Sequence, residues 1–170
     1  MGRKSHRIAL ALAQQIEKRA EQAHLVDLLA LDLLPFEERY AVLKEPAERF
    51  VHLAKEMESS DAFIFVSPEY NGGISSGLKN FIDFYAKNPF MHKPIGVATG
   101  SVGAMGGIRA AYQLQQNILT SHGFPHPQML TVGKMDQVLD EQGQILEDRF
   151  AASLNKFLDL FLEFSSKLSN

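Results

Sequence analysis

Residues 62–66 read Ala-Phe-Ile-Phe-Val, an unbroken run of β-branched and aromatic side chains that stops at Ser67-Pro68. A strand with one wet face would alternate polar and apolar residues. This run does not, so it has to be buried on both faces. Pro94-Ile95-Gly96-Val97-Ala98-Thr99 repeats the pattern, and Gln128-Met129-Leu130-Thr131-Val132 reads as the last core strand. The intervening segments carry apolar residues at helical spacing. One helix is predicted over about 46–59, with Phe50, Leu53, Ala54 and Met57 on one side, and others over about 75–85 and 105–121. A final helix presents Phe150, Leu154, Phe157, Phe161 and Phe164. At the start, Ser5 is read as the cap of a helix with the stripe Ile8, Leu12, Ile16. Leu25–Leu31, bounded by Pro35, reads as a short strand, although its leucines leave a helix open. Strands alternating with helices predict an α/β fold, a parallel sheet with helices on both faces, in a single domain over residues 1–170.

Composition narrows the function. Cysteine is absent, which excludes disulfides, thiolate metal sites, iron–sulfur clusters and cysteine nucleophiles. Any redox role therefore needs a bound cofactor. A net charge of −3 gives no field to gather nucleic acid or anionic membrane. No apolar run approaches the roughly 18–20 residues of a membrane span. The basic start followed by Ile8-Ala9-Leu10-Ala11-Leu12-Ala13 is too short for a signal peptide and runs on into an amphipathic helix. His6 also breaks the myristoylation pattern. The expectation is a soluble cytoplasmic protein.

In parallel sheets ligands bind beyond the carboxyl ends of the strands. Two unusual loops lie at such ends, 67–74 and 99–107. In the first, Pro68 removes an amide donor and stiffens the chain, while Gly72 and Gly73 permit positive φ and close ligand approach. Successive amides after a strand form a concavity for an anion or a polar heterocycle. Tyr70 adds an aromatic surface, and Asn71 both a donor and an acceptor. The same residues would also make a surface turn with a helix cap, and spacing alone leaves the two readings equal.

The run from Ser67 to Asp83 (SPEYNGGISSGLKNFID) resembles the signature of the NADPH-dependent FMN reductases and related azo, quinone and chromate reductases. The resemblance extends more loosely to nearly the whole chain. It implies a flavodoxin-like doubly wound sheet in the order 2-1-3-4-5, with FMN bound non-covalently and NADPH or NADH as electron donor. It further implies that Pro68, Glu69, Tyr70, Asn71 and Gly72 contact the flavin ring. Leu78, Phe81 and Ile82 are assigned to packing, and Lys79, Asn80 and Asp83 to capping or subunit contacts.

The second loop, Thr99-Gly100-Ser101-Val102-Gly103-Ala104-Met105-Gly106-Gly107, is not a dinucleotide fingerprint. Its glycines are spaced differently, and Thr120 stands where the ribose-binding acid would be. It nonetheless joins a strand to a helix, which would place free amides at a positive helix end. By resemblance Ser101, Gly103, Met105, Gly106 and Gly107 flank the flavin. Close helix–strand packing would demand small residues too.

Members of that family begin with a buried strand and a phosphate-wrapping loop. Here the sequence opens inside the loop, and the central first strand is expected to be missing. Arg3, Ser5 and the amides of His6 and Arg7 remain candidates for the FMN phosphate through charge and the helix end. An N-cap with a solvated basic tail is the plainer reading.

The six histidines show no H-E-x-x-H, and His122 and His126 flank a Gly-Phe-Pro that is not helical, so surface or core roles are expected and no metal site. No catalytic acid or base is assigned, because the flavin performs the redox step. The function implied is an NAD(P)H oxidoreductase passing electrons through FMN to a small acceptor such as a quinone, flavin or azo compound. The alternatives are a flavodoxin-type carrier, which is usually more acidic, and a homologue that no longer binds flavin. A homodimer or homotetramer is implied, with neither nucleic acid nor membrane as partner.

Overall fold

The computed structural model describes residues 4–168. In chain order the elements are α1 (Lys4–Glu17), α2 (Glu48–Ser59), β1 (Phe63–Pro68), α3 (Ser76–Tyr85), β2 (Pro94–Gly100), α4 (Ile108–Thr120), β3 (Phe124–Pro125), β4 (Leu130–Val132), α5 (Met135–Val138) and α6 (Asp148–Leu168), with one 3₁₀ turn at Tyr40–Val42.

The sheet is parallel throughout and is organised by β2, whose seven residues are all buried. On one side β1 pairs with it from Phe63↔Ile95 to Pro68↔Gly100. The other side is shared: β3 pairs with its start and β4 with its end, at Ala98↔Leu130 to Gly100↔Val132. This central position is why residues 94–99 show no polar alternation.

Side chains of the sheet divide by the two-residue period of a strand. Phe65, Ile95 and Val97 join a core with α2, α3 and α4. Ala98, with Ile64 and Val66 at its margin, joins a second core with α1, β4 and α6. Helices therefore cover both faces, as predicted. Gly96 sets the closeness of α6: a Cβ there would lie 3.0 Å from Phe157 Cζ and 3.2 Å from Phe161 Cδ2. His126 is a core residue, its Nδ1 2.9 Å from the Gln128 carbonyl and its ring against Phe157, Phe161 and Phe164.

The described residues form the lanes β1, β2 and β3/β4, which correspond to the 3-4-5 part of the expected order 2-1-3-4-5. Two sequence expectations change. Leu25–Leu31 is not a strand but an irregular segment ending in turns. A strand needs a neighbour, and its expected neighbour is the lane that no described residue fills. Its side chains still pack: Val26, Leu28 and Leu31 lie against the α2–α3–α4 core, and Arg49 Nε donates to the Leu31 carbonyl at 3.0 Å. Finally, Ser5 is not a cap, because α1 already includes Lys4 and Ser5 sits in its first turn.

No helix among the described residues is long and apolar enough to cross a membrane.

Candidate functional site at the carboxyl end of the sheet

The loop after β1 is built around a buried hydroxyl. Ser67 Oγ donates to the Pro68 carbonyl at 2.8 Å and accepts from the Ser75 amide at 3.0 Å, closing residues 67–75 on themselves. Within the loop Tyr70 and Gly73 exchange both backbone hydrogen bonds, at 2.9 and 3.0 Å. The two residues between, Asn71 and Gly72, have φ of 50° and 80°. Two successive left-handed residues in a two-residue hairpin make a type I′ turn, for which Asn-Gly is the preferred pair. Asn71 thus has a conformational reason for its place, beside any contact with a ligand. Gln113 of α4 steadies the exit, its Oε1 accepting from the Ile74 amide at 2.7 Å. Ser75 caps α3 by accepting from the Leu78 amide at 3.3 Å. Leu78, Phe81 and Ile82 are buried, as assigned, and Lys79 pairs with Asp83 one turn on at 2.6 Å.

The first loop is joined to the second by Glu69. Its amide continues the sheet by donating to the Gly100 carbonyl at 3.3 Å. Its carboxylate spans to the start of α4: Oε2 accepts from the Arg109 amide at 3.0 Å and the Ala110 amide at 3.4 Å, and Oε1 lies 3.1 Å from Arg109 Nη1. The glycine-rich loop therefore does not present an empty positive helix end. A carboxylate from the neighbouring strand already occupies it.

The loop after β2 owes its glycines to close packing as well as to φ. Thr99 Oγ1 donates to the Gly106 carbonyl at 3.0 Å. Gly106 and Gly107 have φ of 60° and 81°, and a Cβ on Gly106 would meet the backbone of Thr131 and Val132 at 2.8 Å. These left-handed residues also explain why α4 starts at Ile108 and not near Met105. Ser101 Oγ donates to the Gly103 carbonyl at 3.0 Å, and the Ser101 amide to the Val132 carbonyl at 3.0 Å. The large apolar side chains of the two loops point outward: Tyr70, Val102 and Met105 are 65%, 64% and 69% exposed.

The first turn of α1 reaches the same end of the sheet. A Cβ at Gly100 would come within 2.5 Å of Ile8 Cδ1 and 2.4 Å of Met135 Sδ, so Ile8 lies directly over the end of β2. Ser5, His6 and Arg7 precede Ile8 by one turn, while Arg3 lies outside the described residues. Arg7 is not turned to an empty space. Its Nη1 donates to Asp136 Oδ1 at 3.1 Å and to the Leu139 carbonyl at 3.3 Å, and its Nη2 lies 3.7 Å from Glu141. Lys4 hydrogen-bonds Asp136 also. The bond from Lys4, helped by attraction to Lys4 and Arg7, holds the Asp136 carboxyl below the usual carboxylate range.

The structure thus brings Pro68–Gly72 and Ser101–Gly107 side by side and sets the first turn of α1 at the same edge. Arg109, Gln113 and Asp136, which complete the arrangement, were not singled out by sequence. No motif announces a carboxylate that reaches a helix 40 positions further on. The exposed Tyr70, Val102 and Met105 beside the Asn71-Gly72 hairpin are of the chemistry that a planar heterocycle would need. For a phosphate, the Ser5 hydroxyl and the α1 end are suitable donors, whereas Arg7 would first have to leave Asp136.

The model of the NADPH-dependent FMN reductase family matches residues 1–137. An NAD(P)H-dependent FMN reductase of Pseudomonas aeruginosa is 34% identical over 119 residues, 66% of this chain and 62% of that protein. A quinone reductase of Escherichia coli is 29% identical over 121 residues, 68% of this chain and 64% of that protein. The chain thus spans less than two thirds of the length of either relative. Among solved structures, the flavoenzyme NAD(P)H:(acceptor) oxidoreductase FerB of Paracoccus denitrificans superposes with a TM-score of 0.80 at 24% identity, covering 96% of this chain and 90% of that one. That likeness establishes a flavodoxin-like fold.

Proposed function

The chain belongs to the NADPH-dependent FMN reductase family, and from this premise we propose that residues 1–170 are one FMN-binding domain that passes electrons from NADPH or NADH to a small acceptor. A quinone, free flavin, azo compound or similar molecule would serve as acceptor. The observation that carries the reading is the pair of loops joined by Glu69 at the carboxyl ends of β1 and β2, where a parallel sheet takes its ligand.

Bound FMN would supply the hydride chemistry. The chain's own residues do the rest. The Asn71-Gly72 hairpin and the Ser101–Gly107 loop present backbone amides and carbonyls to the polar edge of a ring. Tyr70, Val102 and Met105 offer apolar surface for the ring and for a stacked donor or acceptor. Ser5 and the first-turn amides of α1, with His6 and Arg7 near them and Arg3 preceding them in sequence, are the proposed phosphate end. No side chain is asked to move a proton.

A homodimer or homotetramer is part of the proposal, supported by the exposed Leu29, Leu34 and Val42 on the long segment between α1 and α2. Light scattering on a size-exclusion peak checks this, and a 19.0 kDa species would refute it. The proposed location is the cytoplasm, where reduced nicotinamides are kept.

Incubation with FMN followed by desalting tests the main reading. A yellow protein, bleached by NADPH or NADH and recoloured by a quinone, is expected. A protein that holds FMN but reacts with neither donor would be an electron carrier, and a colourless one would be a homologue without flavin.

A further inference from the structure

Glu69 stands in the loop that faces the proposed ring, yet both of its carboxylate oxygens already have partners on α4. Oε2 takes the amides of Arg109 and Ala110, two of the donors that a helix start cannot satisfy from within. Oε1 takes the Arg109 guanidinium. The Glu69 side chain is 15% exposed whereas that of Arg109 is 71% exposed, so the guanidinium lies over the carboxylate as an outer cover. The fit is close: a Cβ on Gly107 would stand 3.4 Å from Glu69 Cβ and 3.1 Å from Thr99 Cβ. A carboxylate so engaged would have to give up helix amides before it could serve a ligand.

We propose that Glu69 is a positioning residue, acting on the flavin through α4 by clamping the 67–75 loop to the 101–109 loop so that the two form one wall. The proposal rests on the FMN reading and adds to it a role without contact for the acid of the Pro-Glu-Tyr-Asn run. The same clamp has an electrostatic result. With an internal anion on the positive end of α4, a phosphate gains nothing there, and the anionic end of the cofactor is left to α1.

The test compares Glu69→Ala and Glu69→Gln with the parent protein in two measurements. In flavin-free protein, amide exchange at Arg109 and Ala110 is expected to accelerate in E69A and to remain partly protected in E69Q, whose side-chain oxygen still accepts one helix amide. In binding titrations E69A is expected to weaken FMN and riboflavin by the same factor, about 10- to 100-fold, with E69Q recovering part of the loss. Equal factors mean that the ring end alone was disturbed, since riboflavin lacks the phosphate. Unchanged exchange at both amides, unchanged flavin affinity in E69A, or a loss confined to FMN would each overturn the proposal. If E69A does not fold, E69Q carries both comparisons. If the parent takes up neither flavin, the FMN reading falls, and the exchange measurement alone decides the clamp.

Discussion

Glu69 Oε2 lies 3.0 Å from the amide of Arg109 while Glu69 Oε1 lies 3.1 Å from its guanidinium, so one residue is held by both its backbone and its side chain. The two halves of this contact differ in worth. Arg109→Ala removes only an exposed ion pair, expected to cost about 0–1 kcal/mol. Glu69→Ala leaves the start of α4 without its acceptor, expected to cost about 1–2 kcal/mol. Urea melts of the two variants measure the difference, and equal losses would contradict the division.

The glycines of the two loops should respond differently to a methyl group. Gly72→Ala meets only strain, since its nearest neighbour would be Arg109 Cδ at 3.5 Å; the expected cost is about 1–2 kcal/mol. Gly106→Ala meets the same strain and, in addition, backbone atoms of β4 and the residue after it at 2.8–2.9 Å, which cannot swing away. Its cost is expected to exceed that of Gly72→Ala, with thermal melts as the check.

Asp136 sets how much positive charge the α1 end can offer. Its carboxyl is held below the ordinary range, so the pairing is present above the unfolded value near 3.8 and is lost only as pH falls below it. Around neutrality, therefore, substitution and not acid is the way to free Lys4 and Arg7. Asp136→Asn is expected to raise the affinity for FMN relative to riboflavin by roughly two- to fivefold, the scale of an exposed cation released from its partner. Parallel fluorescence titrations give the ratio, and an unchanged ratio would remove Arg7 from the phosphate end.

Tyr85 makes the fold sensitive to alkali. Its hydroxyl donates to the Phe50 carbonyl at 3.2 Å, and burial, with Tyr40 beside it, pushes its pKa above the ordinary 10.0. A raised folded pKa means that the stability is complete below pH 10 and declines as pH rises beyond it, because only the unfolded chain then loses the proton. Lys93 works in the opposite sense. Burial lowers its pKa while its Nζ donates to the Met57 and Glu58 carbonyls at 2.8 and 2.7 Å, so the unfolded chain holds the proton longer. Tyr85→Phe is expected to be less stable at neutral pH by about 1 kcal/mol and to lose less than the parent between pH 9 and 11. Identical alkaline slopes would refute this.

Phe157 anchors α6 on β2 through Gly96 and is fully buried. Phe157→Ala is expected to cost about 3–5 kcal/mol, the loss of a large core ring. Denaturant unfolding measures it, and a cost below 1 kcal/mol would mean that α6 is not seated as described.

Where burial alone decides, the sequence was readable. β2 and β1 announce themselves by unbroken apolar runs, and the stripe of α6 falls on the core as spaced, with Phe164 at its margin. Pairing was not readable, because Leu25–Leu31 has a strand's composition but its state depends on a neighbour elsewhere. Helix boundaries failed where φ controls them: only backbone geometry shows that Gly106 and Gly107 delay α4. Of the site, the positions of both loops followed from their place after buried strands. The work of Glu69 did not, since its two partners are chosen by tertiary closeness.

The attachment of α1 has a consequence for the order of events during synthesis. Arg7 depends on Asp136 and Leu139, Gln14 on the Gln142 carbonyl, and Arg19 on Asp159, spans of 128 to 140 residues. α1 is thus made well before the partners of its polar side chains. Its apolar stripe can settle on β1 and β2 once these have formed, whereas its polar fastening waits for α5 and α6.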